Sequence, residues 1–317
     1  MMTNWKRQSV QTVFDRYMRW RLPDLLQPEY PVILKYAIRP EPRYGDGKPP
    51  HPGLHALFAR QDAAYLATLT ALAGFTEPLT RVAETVDAAA PGEPYWRNIF
   101  FSALDAITLY GLLASRKPAR YVEVGSGNST KFARLAIRDL GLQTEIISLD
   151  PQPRADIDLL CDRVIRQPLE AVDPSVFDEL AAGDVLFLDS SHVVFQNSDV
   201  TVFFLEVLPR LKAGVIVHIH DIFLPFDYPR LWADRHYSEQ YLLAAYLLGG
   251  ASRVEILLPL AHISQDPQLA AGVQSLWAHP RFQRAFADYS QLTGGYVGTS
   301  LWLELTSDRS QSDPTPR

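Results

Sequence analysis

The sequence predicts an α/β protein built on a doubly wound, mostly parallel sheet. Three observations lead to this class. Apolar strand-like segments alternate with helical segments from residue 121 to residue 219. The first strand runs into a glycine-rich turn at Gly125 and Gly127, after which a helix begins. Acids and histidines follow several of the strands, and the carboxyl ends of parallel strands lie along one edge of a sheet, where such folds bind ligands.

The predicted strands are continuous apolar runs, which is typical of parallel strands covered by helices on both faces. They span residues 121–124, 145–149, 163–166, 185–188 and 215–219, and the helices between them span 131–140, 155–160, 174–180 and 199–208. Right-handed crossovers make such a sheet doubly wound. A helix at 237–248 and two last strands at 254–258 and 299–305 follow, with an insertion at 265–293 that contains Trp277, Phe282 and Phe286.

The region before the first strand is predicted to be accessory. Residues 1–94 form a helical N-terminal extension or cap, residues 95–306 the main domain, and residues 307–317 a disordered tail. Within the extension, 10–22 is an amphipathic helix and 54–86 is one or two helices. The Pro- and Gly-rich stretch 40–52 is an exposed loop, either a plain connector or a lid.

An apolar-striped helix is predicted over residues 96–114, immediately before the first strand. Its aromatic residues suit a core. Tyr95, Trp96 and Asn98 at its start are candidates to face a ligand.

Composition narrows the class of protein. The chain has 317 residues, 47% of them hydrophobic, which suffices for a sizeable core. A net charge of −6 argues against a nucleic-acid partner or an anionic membrane surface. The single cysteine, Cys161, excludes an internal disulfide and a cysteine zinc cluster. Without a signal-peptide pattern or a membrane-length apolar run, the expected location is the cytoplasm.

The glycine turn has the properties of a nucleotide cradle. Gly125 and Gly127 allow a sharp turn and close approach to a ligand, and Ser129 or Thr130 suits the N-cap of the next helix. Asp150 ends the second strand roughly 20 residues later, where an acid accepts hydrogen bonds from ribose hydroxyls. An ordinary βα turn is the alternative, because the third glycine of the dinucleotide fingerprint is replaced by Thr130.

Three further strand ends carry polar side chains. The third strand is followed by Gln167–Glu170, which suits the wall of an adenine site. The fourth ends in Asp189-Ser-Ser-His192 and the fifth in His218-Ile-His220-Asp221, before the aromatic run Phe223–Pro229. A charge at a buried strand end is costly without a partner, so this convergence indicates a site. His218 lies inside the strand pattern and is predicted to be a core residue. Phe223, Phe226, Tyr228 and Trp232 are either a substrate wall or packing.

These motifs resemble those of the class I S-adenosylmethionine-dependent methyltransferases: Glu123-Val-Gly-Ser-Gly-Asn-Ser-Thr130, Asp150, Leu186-Phe-Leu-Asp-Ser-Ser-His192 and Gly214-Val-Ile-Val-His-Ile-His-Asp221. The resemblance covers roughly residues 96–305 and implies a seven-stranded Rossmann-like sheet with a reversed last strand. It also implies S-adenosylmethionine as cofactor. The residues it assigns to that cofactor are Glu123, Gly125, Ser126, Gly127, Ser129, Thr130, Asp150, Leu169, Glu170 and Asp189.

Strands four and five resemble the small-molecule O-methyltransferases that use a divalent metal. This likeness implies Asp189, His220 and Asp221 as metal ligands and His192 as the general base that deprotonates a hydroxyl acceptor. The chain departs from that pattern in offering His220 where a carboxylate is usual, so a transition metal suits the set as well as magnesium. Without a metal, the acids would bind cofactor and substrate only, and His220 is the second candidate base. The alternative role for His192 is a helix N-cap or a structural hydrogen bond at the start of the next helix.

Two other classes share parts of the pattern. A nicotinamide-dependent dehydrogenase has the same turn and ribose acid, and a non-catalytic cofactor-binding subunit needs no base. An aminopropyltransferase, with a related cofactor, is a more distant alternative. The sequence names neither the acceptor nor the oligomeric state, and a homo-oligomer is compatible with it.

Overall fold

The computed structural model describes residue 36, residues 38–153 and residues 155–307. The predicted helix at 10–22 and most of the predicted tail, from residue 308, lie outside the described residues. The chain divides into two compact units, Met1–Arg39 and Pro40–Arg317. The second unit contains all seven strands described for the chain.

A seven-stranded sheet forms the centre of this unit. Its strands are β1 Arg120–Val124, β2 Glu145–Leu149, β3 Arg163–Ile165, β4 Val185–Leu188, β5 Ile216–Ile219, β6 Val254–Pro259 and β7 Leu301–Leu305. They lie in the order β3-β2-β1-β4-β5-β7-β6. The first five are parallel, and β7 is antiparallel to both β5 and β6. The predicted doubly wound, mostly parallel sheet with a reversed last strand is confirmed.

The register of the sheet aligns the strand ends. Val124 lies opposite Leu149 of β2 and Leu188 of β4, and Leu188 lies opposite Ile219 of β5. The residues directly after these four positions are therefore neighbours in space. Sequence order alone places them up to 95 residues apart, between Gly125 and His220.

Two long helices cover the sheet next to β1. Helix α4, Ala103–Arg116, is buried from Ala103 to Ala114, and α5, Asn128–Leu140, packs against it. The prediction that α4 begins at residue 96 is wrong. The Asn98 side chain accepts hydrogen bonds from the backbone N–H groups of Phe100 and Phe101, at 3.2 and 2.7 Å, and so holds a turn there in place of helix.

The remaining crossovers contain less α-helix than predicted. Residues 155–160 give only a 3₁₀ turn at Asp158–Leu160, and residues 174–180 give a 3₁₀ helix at Pro174–Glu179. Helix α6, Asp199–Val202, continues as a π turn over Phe203–Val207. Pro209 lies in the 3₁₀ turn that ends this run, where a proline cannot supply an N–H to an α-helical ladder.

The predicted N-terminal helices and the insertion pack on the same core. Helices α1 Pro52–Phe58, α2 Asp62–Leu72 and α3 Thr76–Leu79 precede α4. After β5 come α7 Glu239–Leu248, α8 Leu260–Gln265, α9 Pro267–Leu276 and α10 Pro280–Thr293. Helix α2 contacts α4 and α9, and Trp277, Phe282 and Phe286 are buried. The insertion is therefore part of the core. The domain boundary near residue 94 stays a prediction.

The loop at 40–51 is held against the segment that follows β5. The backbone N–H groups of Arg43 and Tyr44 donate to the Asp227 carboxylate at 2.6 and 3.0 Å. The N–H of Asp227 donates to the carbonyl of Tyr44, and that of His51 to the carbonyl of Pro225. None of the helices within the described ranges has the length and apolar character needed to cross a bilayer.

Candidate active site

A cavity of about 840 Å³ opens at the carboxyl edge of the sheet, where the strand order reverses between β1 and β4. Its lining includes the turn after β1, the residues after β2 and the residues after β4. Eight of the ten residues assigned to the cofactor line it, namely Gly125, Ser126, Gly127, Ser129, Asp150, Leu169, Glu170 and Asp189. The turn is therefore open to a ligand and is not filled by packed side chains.

Gly125 is the point of closest approach between β1 and β4. Its φ is +82°, and a Cβ built on it would lie 1.7 Å from the carbonyl oxygen of Asp189. The Asp189 N–H donates to the Val124 carbonyl at 2.9 Å, which brings the two chains together at this point. Only glycine fits here without a shift of backbone.

Glu123 and Thr130 lie beneath the turn, outside the cavity lining. The fully buried Glu123 carboxylate accepts hydrogen bonds from the hydroxyls of Tyr121 and Thr130, at 2.6 and 2.5 Å. Thr130 Oγ1 in turn accepts from the N–H of Gly127 at 3.1 Å. Burial raises the pKa of Glu123 to about 7, although these hydrogen bonds favour its charged form. Through Thr130, these hydrogen bonds connect Glu123 to the N–H of Gly127 and so orient the glycine turn.

Asp150 joins the end of β2 to the same turn. One carboxylate oxygen accepts from the Ser126 N–H and the other from the Gln152 N–H, both at 2.8 Å. The carboxylate borders the cavity and keeps acceptor capacity, because each oxygen has two lone pairs. Sequence reasoning missed other lining residues, among them Phe100, Phe101, Lys131 and Asp199, whereas Tyr95 was a candidate. Trp96 is buried against Phe132 and Phe282.

A cluster of acids and histidines adjoins the cavity at Asp189. His192 Nε2 lies 3.1 Å from Asp189 Oδ1 and 3.6 Å from Asp221 Oδ2. His220 Nδ1 lies 3.5 Å from Asp189 Oδ1 and 3.5 Å from Asp221 Oδ1. The structure thus brings together all four strand-end residues for which catalytic or metal-binding roles were predicted.

His192 is held from its far side by a residue that sequence reasoning missed. Its Nδ1 lies 2.8 Å from Oε2 of Glu239, a fully buried acid in the first turn of α7. The His192 carbonyl also accepts from the N–H groups of Ser238 and Glu239. The N-cap alternative for His192 is wrong, because the following helix is capped by Ser198. An acid in the first turn of a helix is common because it suits the helix dipole, so the sequence carried no signal that distinguished Glu239.

Burial alone would lower the pKa of His192, but hydrogen bonds to Asp189 and Glu239 hold that pKa well above its usual value. The same balance applies to His220, whose pKa is raised by Asp221 and Asp189 against the effect of burial. Burial raises the pKa of Asp221, whereas the charge of His220 and the hydrogen bond from His192 keep the pKa of Asp189 below its usual value.

The donor set of the cluster fits a divalent cation. Asp189, His220 and Asp221 each offer one ligand atom, and these atoms all lie within 4.8 Å of one another. Ligands about 2.1 Å from one ion lie about 3 to 4 Å apart, which the 3.5 Å separations match. Asp221 adopts φ +56°, in the left-handed region that is uncommon for a residue other than glycine.

The aromatic residues after β5 form a small cluster of their own. Phe223, Tyr228, Trp232, Tyr296 and Ala261 are buried together, with Phe226 and Tyr237 partly buried against them. The Tyr237 ring centroid lies 4.5 Å from that of His192. His218 is in the core as predicted, stacked on Trp302 at 3.7 Å and bonded to Ser300.

A family profile described as "Methyltransferase domain" matches residues 122–222. The matched range runs from β1 to the residue after Asp221 and so contains the cavity turn and the whole strand-end cluster. The match identifies a methyltransferase domain in this range, and the seven-stranded sheet with its antiparallel β7 agrees with the fold that the resemblance to the class I S-adenosylmethionine-dependent methyltransferases implied. The predicted enzyme class, a methyltransferase that uses S-adenosylmethionine, is confirmed.

Solved structures similar to this chain include three methyltransferases. One is the SAH-bound enzyme PaMTH1 of Podospora anserina, at 18% identity over 64% of this chain and 92% of that chain, with a TM-score of 0.37. Another is an O-methyltransferase from Bacillus cereus in complex with SAH, at 14% over 76% and 91%, with a TM-score of 0.34. The third is MycE of the mycinamycin pathway, in complex with Mg, SAH and mycinamycin VI, at 17% over 64% and 50%, with a TM-score of 0.33. No curated protein sequence matches the chain.

Proposed function

We propose that this protein transfers the methyl group of S-adenosylmethionine to a hydroxyl oxygen of a small-molecule acceptor. His192 acts as the general base, and Asp189, His220 and Asp221 hold a divalent cation beside it. The supporting observation is the position of Asp189. This residue lines the cavity and also contacts both histidines, at 3.1 and 3.5 Å, so the methyl donor and the basic group would meet at one side chain.

The charge of the cavity supports a cationic donor. Its lining carries five carboxylates and one ammonium, that of Lys131, among the described residues. The acids are Asp150, Asp156, Glu170, Asp189 and Asp199. S-adenosylmethionine carries a positive sulfonium and an ammonium group, which such a field attracts, whereas the pyrophosphate of a nicotinamide dinucleotide would be repelled. This favours the methyl donor over the dehydrogenase cofactor.

In the reaction, the acceptor oxygen forms a bond to the methyl carbon as the bond from that carbon to sulfur breaks, leaving S-adenosylhomocysteine. A hydroxyl is a weak nucleophile until it loses its proton. His192 Nε2 accepts that proton when the imidazole is neutral, and because Asp189 and Glu239 raise the pKa of His192, turnover should increase as the pH rises. Glu239 fixes the orientation of the ring and stabilises the imidazolium through Nδ1 at 2.8 Å. The proton then leaves to solvent.

Asp189, His220 and Asp221 would hold a divalent cation, which would supply positive charge that favours loss of the acceptor proton and would compete with His192 for the two carboxylates. The side chains do the positioning. Asp189 is fixed through its backbone to β1, and Asp221 through its own φ of +56°. Such alignment of donor and acceptor lowers the barrier by several kcal/mol.

Acceptor specificity is assigned to the loop at 40–51, which is hydrogen-bonded to Asp227 and Pro225 after β5, and to the aromatic cluster that contains Phe223 and Tyr228 from the same segment. We propose that residues 40–94, the described part of the predicted N-terminal extension, act as a cap for that side of the enzyme. The acidic chain, with net charge −6, supports a small molecule as acceptor in place of a nucleic acid.

The test is turnover of the His192→Ala variant against a small-molecule hydroxyl panel, with S-adenosylhomocysteine affinity measured by calorimetry. Loss of a general base costs about 10²- to 10⁴-fold in turnover. Cofactor affinity should stay near wild type, because His192 is outside the cavity lining. The exposed His279 gives a control: His279→Asn retains a residue suited to the N-cap of α10 and should leave turnover unchanged.

Wild-type turnover in His192→Ala would remove this residue from the role of base. If turnover survives exhaustive chelation, and metal analysis shows that the chelated protein holds no metal, the proposal of a bound cation is wrong. Cofactor binding without methylation of any hydroxyl compound would leave a methyltransferase with a different acceptor atom.

A further inference from the structure

His220 presents an unpaired nitrogen to the two carboxylates of the cluster. The side chain is 1% exposed, and its Nδ1 has no hydrogen-bond partner among the described residues. That atom nevertheless lies 3.5 Å from an oxygen of Asp189 and 3.5 Å from an oxygen of Asp221. Buried polar atoms are usually paired, so an unpaired one that points between two carboxylates indicates a missing ligand.

The other ring nitrogen of His220 faces hydrogen-bonding oxygens. Its Nε2 lies 3.4 Å from the Tyr289 hydroxyl and 3.8 Å from Oδ2 of Asp105. Asp105 is wholly buried in α4 and is fixed by accepting from the N–H of Thr299 at 2.9 and 3.1 Å. Acceptors thus face both ring nitrogens. A cation between the two carboxylates would take the place of the hydrogen on Nδ1, whereas Asp105 would keep the hydrogen on Nε2 and so hold the lone pair of Nδ1 toward the cation.

To a bound cation the cluster would therefore offer one imidazole nitrogen and two carboxylate oxygens. Mg²⁺ takes oxygen ligands and keeps several waters, and an imidazole is a poor ligand for it. Imidazole suits first-row transition metals, which also accept carboxylates. A fully buried histidine with a fixed orientation is thus a poor ligand for Mg²⁺, whereas it is a preorganised ligand for a transition metal.

We propose that the Asp189–His220–Asp221 site selects a divalent first-row transition metal over Mg²⁺, with Asp105 as the residue that positions His220 for it. This inference rests on the metal site of the proposed function but concerns which ion that site takes. His220 is the discriminating ligand, because it is the only nitrogen donor in the three-residue set that the described structure offers.

The experiment measures metal binding directly and needs no acceptor. Protein stripped with chelator is titrated with Mg²⁺, Mn²⁺ and Co²⁺ by calorimetry, and bound Mn²⁺ is followed by electron paramagnetic resonance. Transition metals bind most sites more tightly than Mg²⁺, so the informative quantity is the ratio of affinities in matched variants. His220→Asp replaces the nitrogen ligand by oxygen, and His220→Asn does so with closer size. His279→Asn removes an exposed imidazole as the control.

Wild type and the His279→Asn control should favour Co²⁺ and Mn²⁺ over Mg²⁺. The Co²⁺-to-Mg²⁺ affinity ratio should fall by about tenfold or more in the folded His220 variants, and Asp105→Asn should weaken Co²⁺ by about 10- to 100-fold, which is typical of an outer partner of a ligand. Equal ratios in wild type and both His220 variants would overturn the inference while keeping a metal site. Absence of any cation binding by folded wild-type protein would overturn the inference and the cation of the proposed function together, and would leave methyl transfer by His192 standing.

Discussion

Substitution of Gly125 by alanine tests the geometry that joins the cofactor turn to the catalytic cluster. The added Cβ would lie 1.7 Å from the Asp189 carbonyl oxygen, whereas real Cβ contacts stay beyond 3.0 Å. The backbone must therefore move by more than 1 Å. Because the Asp189 N–H donates to the Val124 carbonyl at 2.9 Å, the shift opposes a buried hydrogen bond between β1 and β4.

The expected loss of stability has two parts. A non-glycine residue at φ +82° costs about 1–2 kcal/mol. Disturbance of the buried β1–β4 hydrogen bond adds about 1–3 kcal/mol. Gly125→Ala should therefore lower the free energy of unfolding by about 2–5 kcal/mol. Affinity for S-adenosylhomocysteine should also fall, because Ser126 and Asp189 move with the turn.

Gly183 separates these two parts. It lies before the opposite end of β4 with φ +91°, and a Cβ built there meets nothing within 4 Å. Gly183→Ala should cost only the conformational part, about 1–2 kcal/mol, and leave cofactor affinity unchanged. Both variants are measured by urea unfolding and by calorimetry with S-adenosylhomocysteine. If Gly125→Ala loses no more stability than Gly183→Ala and binds as tightly as wild type, the close approach of the turn to Asp189 is refuted.

Two further predictions concern buried acids. Burial raises the pKa of Glu123 to about 7, so the native state binds more protons than the unfolded state between pH 4.5 and 7, and its stability falls as pH rises through that window. Glu123→Gln lacks this titration, so its free energy of unfolding relative to that of wild type should rise by up to about 3 kcal/mol from pH 4.5 to pH 8. Urea unfolding measures both proteins across this range. If their free energies of unfolding change in parallel with pH, the pKa of Glu123 is not raised. Glu239→Ala should lower turnover about 10- to 100-fold with cofactor affinity unchanged, because His192 loses its orienting partner. Glu239→Gln keeps an acceptor for Nδ1 and should recover part of that loss; equal turnover in both variants would exclude the positioning role.

The sequence predicted the parts of the site that follow strands. Gly125, Asp150, Asp189 and Asp221 each come directly or almost directly after an apolar run, and parallel strands bring such positions to one edge. The register confirms this, since Val124, Leu149, Leu188 and Ile219 end at the same level. For these residues, the local sequence pattern and the strand topology together sufficed to predict the site.

Helix boundaries and helix-borne partners were harder to predict. The apolar stripe that predicted a helix from residue 96 continues through residues whose backbone is held by Asn98, and a side chain that competes for backbone hydrogen bonds leaves no trace in hydrophobic periodicity. Glu239 is 47 residues from His192 along the chain. Only the packing of α7 against the end of β4 brings the two together, and periodicity does not give that packing.

Asp105 shows what signal was present in the sequence. It lies between Leu104 and Ala106 on a helix that is buried from Ala103 to Ala114, in a sequence that predicts a core element. A carboxylate placed there must be paired, because an unpaired buried charge costs several kcal/mol. Its carboxylate accepts a hydrogen bond from the Thr299 N–H at 2.9 Å, and its Oδ2 lies 3.8 Å from His220 Nε2. An acid within an apolar helix stripe therefore predicts a buried polar partner, and in this fold that partner is a histidine whose other nitrogen faces the catalytic carboxylates.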